Sequence, residues 1–170
     1  PASTYMYGIT ITDCNFDNNV VLANKGETNT NGCGGAVFLG GDHHALTDNT
    51  FTNNKANGEG ANGGAIFFVA EDVVVTNNRF ENNYAKLYGG AVASSVGTSD
   101  IQVVNSVFIN NSARNAGGLD FYETNDAQVI NCLFDGNVAS NKAGALYMNG
   151  KNGVVSYCNF TNNKADYSSA

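Results

Sequence analysis

Residues 63–92 read GGAIFFVAEDVVVTNNRFENNYAKLYGGAV, and this stretch contains both signals that decide the fold. The first signal is the tetrad Phe80-Glu81-Asn82-Asn83, in which Asn follows Phe after three residues. The Phe-x-x-Asn pattern occurs six times, with Phe-to-Phe spacings of 35, 29, 28, 26 and 26 residues. The second signal is a glycine motif that lies between successive tetrads. Two interlocked motifs at one period indicate a repeat architecture.

The glycine motif recurs five times, with substitutions in the later copies. Its copies are Gly34-Gly35-Ala36, Gly63-Gly64-Ala65, Gly89-Gly90-Ala91, Gly117-Gly118-Leu119 and Ala143-Gly144-Ala145. From the last Gly of each copy to the next Phe the chain counts 16, 16, 18, 16 and 16 residues. This alignment sets Asp120 in the position that aliphatic residues occupy in the other copies.

One repeat, residues 64–89, alternates short apolar runs with turn residues. Residues 65–69 and 73–76 and a third run around Phe80 have the composition of strands, and Asn, Asp and Gly separate them. Because identical residue types return at the repeat period, like residues should lie over like residues in parallel neighbours. The sequence therefore predicts an all-β fold, a right-handed single-stranded parallel β-helix of about 26–29 residues and three short strands per coil. We expect residues 1–170 to form a single segment of such a solenoid, as part of a longer chain.

Two columns of the repeat are predicted to form structural ladders. The Phe rings should stack in the core. The Asn side chains should hydrogen-bond along the stack and tolerate a left-handed turn conformation. The ladders comprise Phe16, Phe51, Phe80, Phe108, Phe134 and Phe160, and Asn19, Asn54, Asn83, Asn111, Asn137 and Asn163.

Composition excludes several classes of function. The net charge is −7 and no Lys/Arg cluster is present, so nucleic acid is not an expected partner. The sequence has no apolar run long enough for a transmembrane helix. Four Cys are present without a CxxC motif, which gives zinc binding little support. Cys132 and Cys158 would lie on adjacent coils, about 4.8 Å apart, a separation compatible with a disulfide bond or with two stacked thiols.

The alternating motifs resemble the repeats of the chlamydial polymorphic outer-membrane proteins. They are similarly close to the adhesin-like β-helix repeats of methanogenic archaea and related bacterial surface proteins. The resemblance rests on the six Phe-x-x-Asn tetrads and on the Gly-Gly-Ala-aliphatic segments 34–37, 63–66 and 89–92. It implies an extracellular or cell-surface passenger or stalk. Its partner would be a glycan or protein on a host cell or another surface, or further copies associating along the coil axis or lateral face.

A column of acids is a candidate metal site. Asp72, Asp100 and Asp126 each stand eight residues before a repeat Phe, so they should lie about 5 Å apart along one edge. Carboxylates at that spacing could bind Ca²⁺, the one cofactor that the sequence suggests. The alternative is that Asp simply suits a turn before a strand.

The strand after each glycine motif is a candidate binding face. If Asp120 is exposed, the aliphatic residues of its column point outward, and the strands present an apolar stripe to solvent. The predicted stripe comprises Val37, Leu39, Ile66, Phe68, Tyr122, Leu146 and Met148. The alternatives are that these side chains point inward and Asp120 is a satisfied buried acid, or that a loop covers the sheet.

Three functions are compatible with these features. The chain is best interpreted as a rigid adhesin-like or stalk segment that presents loops and one lateral face. A structural subunit of an extracellular filament or sheath would use the same face and the coil ends. A carbohydrate-active enzyme of the pectate-lyase type would need a facing pair of acids, which the sequence does not show, so catalysis is not expected.

Overall fold

The computed structural model describes residues 7–22 and 32–166, and within them the chain forms strands and turns only. Nothing in this part of the chain is a helix that could cross a membrane. The strands follow one another coil by coil. Coil 1 contains β1 (Thr10–Thr12), β2 (Asn15–Asp17) and β3 (Val20–Val21), coil 2 contains β4 (Val37–Thr47), β5 (Thr50–Thr52) and β6 (Lys55–Ala56), and coil 3 contains β7 (Ile66–Thr76), β8 (Arg79–Glu81) and β9 (Tyr84–Ala85). Coil 4 contains β10 (Val92–Ser94), β11 (Ile101–Val104), β12 (Val107–Ile109) and β13 (Ser112–Asn115), and coil 5 contains β14 (Leu119–Phe121), β15 (Gln128–Ile130), β16 (Leu133–Asp135) and β17 (Val138–Lys142). Coil 6 contains β18 (Leu146–Met148), β19 (Val154–Ser156), β20 (Asn159–Thr161) and β21 (Lys164–Ala165).

Every strand pairs in parallel with its equivalents in the neighbouring coils, which confirms the predicted parallel β-helix. Three sheets result, because β4 and β7 run through the corner between the first and second faces and join them into one sheet. The second and third sheets contain the Phe strands and the short strands that follow them. The short strands starting at β3 form a face in addition to the three runs recognised in the sequence.

The Phe column lies in the core with each ring over the next. Successive ring centroids are 4.6 to 5.0 Å apart and the ring planes differ by 3° to 14°. The register pairs Phe80 with Phe108 directly. Stacking of this kind adds about 0.5–1.5 kcal/mol per pair beyond the buried area. The aliphatic residues five positions earlier pair in the same way, as Leu46, Val75 and Val103 show.

The Asn column forms a continuous side-chain hydrogen-bond ladder. The Asn111 side-chain amide donates to Asn137 Oδ1 and to the Phe80 carbonyl, both at 3.0 Å. Its Oδ1 accepts from the backbone N–H and the side-chain amide of Asn83, both at 2.9 Å. Both donors and both lone pairs of this buried amide are therefore satisfied.

A residue with positive φ turns the chain at each of the four corners. The corner before the Asn ladder uses the first Asn of the pair, for example Asn82 at φ 56° and Asn110 at φ 52°. The left-handed conformation therefore belongs to the residue before the ladder, and the prediction that assigned it to the ladder Asn itself was wrong. After Gly, Asn and Asp tolerate this region best, which explains why the chain is rich in them.

The glycine motif contains two positions with different constraints. The first has positive φ, at Gly89 for example, and Ala occupies it at Ala116 and Ala143. The second is Gly in five consecutive coils, and a Cβ at Gly90 would meet the Gly117 carbonyl and lie 2.5 Å from Ser112 N. The fourth copy is therefore Ala116-Gly117-Gly118-Leu119, one residue earlier than the sequence alignment placed it. Leu119, rather than Asp120, occupies the aliphatic position.

These two positions make a matched pair for mutation. Gly90→Ala should lower the free energy of unfolding by about 3 kcal/mol, because backbone atoms surround the new methyl group. Gly89→Ala should cost less, about 1–2 kcal/mol, because Ala116 and Ala143 occupy the equivalent left-handed position, although a Cβ at Gly89 would lie 2.1 Å from the Val92 carbonyl oxygen until the corner adjusts. Urea unfolding followed by circular dichroism measures both. Equal losses in the two variants would show that close approach of the backbone does not distinguish the positions.

Candidate ligand-binding groove

The predicted apolar binding face points into the core, not to solvent. Leu39, Ile66 and Phe68 are buried, and Val37, Leu146 and Met148 are partly buried against the core cluster. Only Tyr122 of the predicted set is exposed, at 39%. The prediction was wrong because the one-residue misalignment at Gly117 exchanged the two sides of the strand. The alternative that the side chains point inward is the correct one.

The residues that alternate with these inward-facing ones along each strand point to the outer side of the same sheet. One column runs from β7 to β18 along the solenoid axis and contains Phe67, Ala93, Asp120 and Tyr147. It spans three coil steps, about 15 Å. Ala93 packs beside Phe67 in a small buried cluster, and Phe67, Asp120 and Tyr147 line the cavities above the column. This column is the floor of a groove.

Two rows of loops form the walls of the groove. One wall carries Asn62, Tyr88 and Asn115, which are joined by backbone bridges, and the end of β17. The other wall carries Val96 and Tyr122. The groove consists of two adjoining cavities of about 260 and 220 Å³ that share Tyr88, Asp120 and Tyr122. The larger cavity is also lined by Arg114, Asn141, Lys142 and Tyr147, and the smaller by Phe67, Ser94 and Ser95.

Asp120 lies where the two cavities meet. Its side chain is 1% exposed, and its Oδ2 has no hydrogen-bond partner among the residues described. Burial raises the pKa of this carboxyl to about 7, against small opposing effects from the Tyr122 backbone and from Lys142. The expectation that Asp120 is exposed was wrong, and it is not a fully satisfied buried acid either. A buried carboxyl oxygen without a partner marks a place that a ligand donor can fill.

A second polar atom without a partner lies at the other end of the groove. Asn62 Oδ1 is buried and makes no hydrogen bond within the described part of the chain. Aromatic rings lie between and beside the two acceptors, with Tyr122 over Tyr147 at 6.3 Å between centroids. The groove is thus lined by partly exposed tyrosines and by two residues whose buried acceptors have no partner in the described part of the chain. Such a combination is typical of a site for a polar organic ligand.

Comparison with known proteins aligns residues 3–168 with the model of a family described as right handed beta helix region. The chain belongs to the right-handed β-helix family. No curated protein matches the sequence, and no solved structure does. Membership of the β-helix family agrees with the handedness expected from the sequence, but a fold of this kind does not define an activity. The function of this chain is therefore inferred from the groove.

The acidic column of this β-helix lies at the first corner of successive coils. Asp72, Asp100 and Asp126 all have positive φ, between 52° and 55°, and so turn the first corner of their coils. Asp72 faces His43 at 3.4 Å, and Asp126 accepts a hydrogen bond from Asn152. Among residues 7–22 and 32–166, no three His, Cys, Asp or Glu side chains lie close enough to hold one metal ion. The corner geometry accounts for these Asp residues without calcium.

Cys132 and Cys158 lie on adjacent coils, as the sequence predicts, but no disulfide joins them. The single hydrogen of the Cys132 thiol has the carbonyls of Val103 and Ile130 within hydrogen-bonding distance, and that of Cys158 has those of Val129 and Ser156. Burial raises the pKa of the Cys132 thiol to about 12, which keeps it protonated and unreactive. The pair is part of the small-residue column that includes Asn78 and Ser106.

Sequence reasoning missed most of the groove. Tyr88, Arg114 and Lys142 lie in loops and strand ends that the repeat alignment did not compare. The signal that could have found the site is Asp120 itself, once Ala116 is placed in the first glycine position. Asp120 then interrupts an outward column otherwise made of Phe38, Phe67, Ala93 and Tyr147, and such an interruption indicates a functional constraint.

Because the Asp120 carboxyl is buried, we expect the protein to lose stability as the pH rises toward neutrality. Its pKa is about 7 in the folded protein and returns to 3.8 on unfolding. Between these values the folded state holds a proton that the unfolded state has lost, so the free energy of unfolding falls as the pH rises from about 4 to about 7. The complete loss is on the order of 4 kcal/mol. Urea unfolding at about pH 5 and pH 8 should show part of this loss in the wild type.

Two variants isolate the contribution of Asp120. Asp120→Asn should remove the loss between the two pH values, because the amide does not ionise. Asp100→Asn changes an exposed carboxyl and should keep the wild-type difference. A slope in Asp120→Asn as steep as that of the wild type would show that the group is not buried as described.

A calcium titration tests the acidic column directly. Since the three Asp residues are explained by turn geometry, we expect the Tm to be unchanged on addition of Ca²⁺ or of EDTA. Differential scanning calorimetry provides the measurement. A rise in Tm with Ca²⁺ that Asp100→Asn abolishes would instead establish the metal site that the sequence suggested.

Proposed function

We propose that this protein is a cell-surface solenoid that binds a glycan in the groove over β7, β10, β14 and β18. The observation that supports this function is the pair of buried acceptors without partners, Asp120 Oδ2 and Asn62 Oδ1, in a groove lined by tyrosines. Each acceptor has lost its hydration and gains most from a ligand that donates hydrogen bonds. Sugar hydroxyl groups are such donors.

The shape and the aromatic lining of the groove suit a carbohydrate chain. The groove follows the solenoid axis over about 15 Å, which favours an elongated ligand over a compact one. Tyr88 and Tyr122 are each 39% exposed, so their rings are available to pack against the apolar face of a sugar ring. The hydroxyl groups at the edge of that sugar ring could then reach Asp120 and Asn62.

The placement at a cell surface rests on the resemblance to adhesin-like repeats and on the form of the molecule. A β-helix is a rod whose stacked coils hold outward side chains in fixed positions, so a site on its lateral face is presented away from its anchor. The partner would then be a glycan of a host cell or another surface.

Two other functions have one supporting observation each. Catalysis on a polysaccharide is favoured by the raised pKa of Asp120, about 7, which suits a general acid. However, Asp120 is the one carboxyl that lines the two cavities of the groove among the described residues, whereas glycoside hydrolysis generally uses two. Assembly into a filament is favoured by the exposed apolar side chains Phe38 and Val69 on the lateral surface of β4 and β7. Binding without turnover is therefore the function that we propose.

A glycan array with matched variants tests the proposal. The wild type should bind a defined subset of glycans, and Tyr122→Ala should weaken that binding at least about tenfold through loss of ring contact. Tyr157→Ala removes a tyrosine that is 88% exposed outside the groove and should bind as the wild type does. Reducing-end assays on the bound glycans should show no cleavage, and light scattering should show no ordered assembly.

The outcomes separate the three functions. Binding without cleavage supports the proposal, and new reducing ends would replace it with the enzyme. Ordered assembly without glycan binding would replace it with the filament. An array on which no glycan binds, or binding that is equally weakened by Tyr122→Ala and Tyr157→Ala, would overturn the proposed site.

A further inference from the structure

The two ends of the groove differ in charge. The end over the smaller cavity is lined by Phe67, Val96 and uncharged polar side chains. The end over the larger cavity contains Arg114 and Lys142. The whole chain has only eight Lys and Arg and a net charge of −7. Two cationic side chains at one cavity are therefore unusual for this protein. This arrangement concentrates positive potential at a single position of an acidic protein.

Neither cation is neutralised by an ion pair. The ion pairs of the described residues join His43 to Asp72, Arg79 to Glu81, Lys86 to Glu59 and Lys164 to Asp166. Arg114 and Lys142 take part in none of them. Lys142 Nζ instead lies 5.6 Å from the centroid of the Tyr147 ring, which holds the ammonium beside the floor of the groove. The two cations are therefore available to an anionic group of a ligand.

The two cations lie on adjacent strands and line the same cavity, with a shift of register between Ala113 and Asn115. Arg114 belongs to β13 and Lys142 to β17, and these strands pair with Asn115 opposite Lys142. Asn141 donates to Asn115 Oδ1 at 2.7 Å, so the amides of this wall hydrogen-bond to each other. A guanidinium and an ammonium on adjacent coils can hold the two oxygens of one carboxylate.

Asp120 determines which anion suits the site. Asp120 lines the same cavity, its buried Oδ2 has no partner among the described residues, and burial favours the protonated carboxyl. The protonated Oδ2 donates its hydrogen to a ligand carboxylate, whereas it accepts from a hydroxyl group when the bound sugar is neutral. The pocket then offers two cations and one neutral donor to a planar group with two acceptor oxygens.

We propose that the end of the groove formed by Arg114, Lys142 and Asp120 binds the carboxylate of an acidic sugar, such as a uronic acid. This inference rests on the proposed glycan-binding function and names the class of glycan. The remaining sugars of the chain extend toward Phe67 and Val96. Specificity for the charged sugar comes from this end, and ring packing along the groove contributes affinity without selecting charge.

The ionisation of Asp120 gives the site a pH dependence with a defined sign. Above about pH 7 its carboxylate repels the ligand carboxylate and loses its donor, so affinity for the acidic sugar should fall. Affinity for a neutral sugar should change little, because it carries no charge. The charged and titratable side chains that line the larger cavity with Asp120 are Arg114, Lys142, Tyr88, Tyr122 and Tyr147.

Matched small glycosides test the proposal on the intact chain. The probes are methyl β-glucuronide, methyl β-glucoside, the methyl ester of the glucuronide, and methyl β-glucoside 6-sulfate. NMR titration at about pH 6 follows saturable shifts of the backbone amides of the groove. The glucuronide should bind about tenfold more tightly than each of the other three, the value of about one charge-assisted hydrogen bond.

Charge-neutralising variants locate the contact. Arg114→Gln and Lys142→Gln should each lower glucuronide affinity about tenfold and leave methyl β-glucoside unchanged. Lys55→Gln is the matched control, because Lys55 Nζ lies 5.1 Å from the Tyr84 ring in the same kind of contact but outside the groove. Asp120→Asn should abolish the fall in glucuronide affinity between about pH 6 and pH 8. Amide spectra of each variant establish that it is folded.

The outcomes distinguish the inference from the function on which it rests. If methyl β-glucoside or the methyl ester binds in the groove as tightly as the glucuronide, selection of a carboxylate is wrong while glycan binding stands. If the sulfate binds equally well, the site is a general anion site and the inference is overturned. If none of the probes shifts the groove amides and the array also shows no binding, both proposals fail. If Lys55→Gln lowers glucuronide affinity as much as Lys142→Gln, the assigned contact is wrong.

Discussion

The hydrogen-bond ladder of stacked Asn side chains is the constraint on which the rest of the structure depends. Each amide in the interior of the ladder donates to the next coil and to the preceding one, and its oxygen accepts from the coil before, as Asn83 and Asn111 do. Because both donors and both lone pairs are used, a coil shifted by one residue would leave several buried polar groups without partners. Each such group costs about 1–3 kcal/mol. The ladder therefore fixes the register to which the stacked Phe rings and all three sheets conform.

A fixed register inside leaves the outer surface free to vary. Insertions enter at corners and loops, as the longer spacings of the first coils show, without displacing the Phe or Asn columns. The groove results from this freedom. Its floor column changes from Phe67 to Ala93, Asp120 and Tyr147 in consecutive coils, whereas the Phe and Asn columns of the core do not change. A rigid, repetitive core thus positions a groove whose residues differ from coil to coil. The stability of that core offsets the free-energy cost of a buried carboxyl without a partner.

The two proposals assign different tasks to the two sides of the same strands. Inward side chains such as Ile66 and Phe68 hold the coils together, and outward ones form a ligand surface. The exposed tyrosines would supply contact area, Asn62 would orient a sugar hydroxyl, and Arg114, Lys142 and protonated Asp120 would select the carboxylate. Rigid presentation lowers the entropic cost of binding, since little of the groove has to be ordered when a ligand arrives.

The sequence by itself determined the parallel stacking, the Phe and Asn columns and the period, because these depend on identical residues meeting at each coil. It also showed that Asp72, Asp100 and Asp126 occupy one column, at corners where a turn residue is sufficient. Only the tertiary structure decided which side of the strands after the glycine motif faces solvent. The reason is that strand side chains alternate with a period of two, so the one-residue error at Ala116 reversed inside and outside and concealed Asp120. The groove itself could not be read from the repeat, since Tyr88, Arg114 and Lys142 come together only when separate coils are stacked.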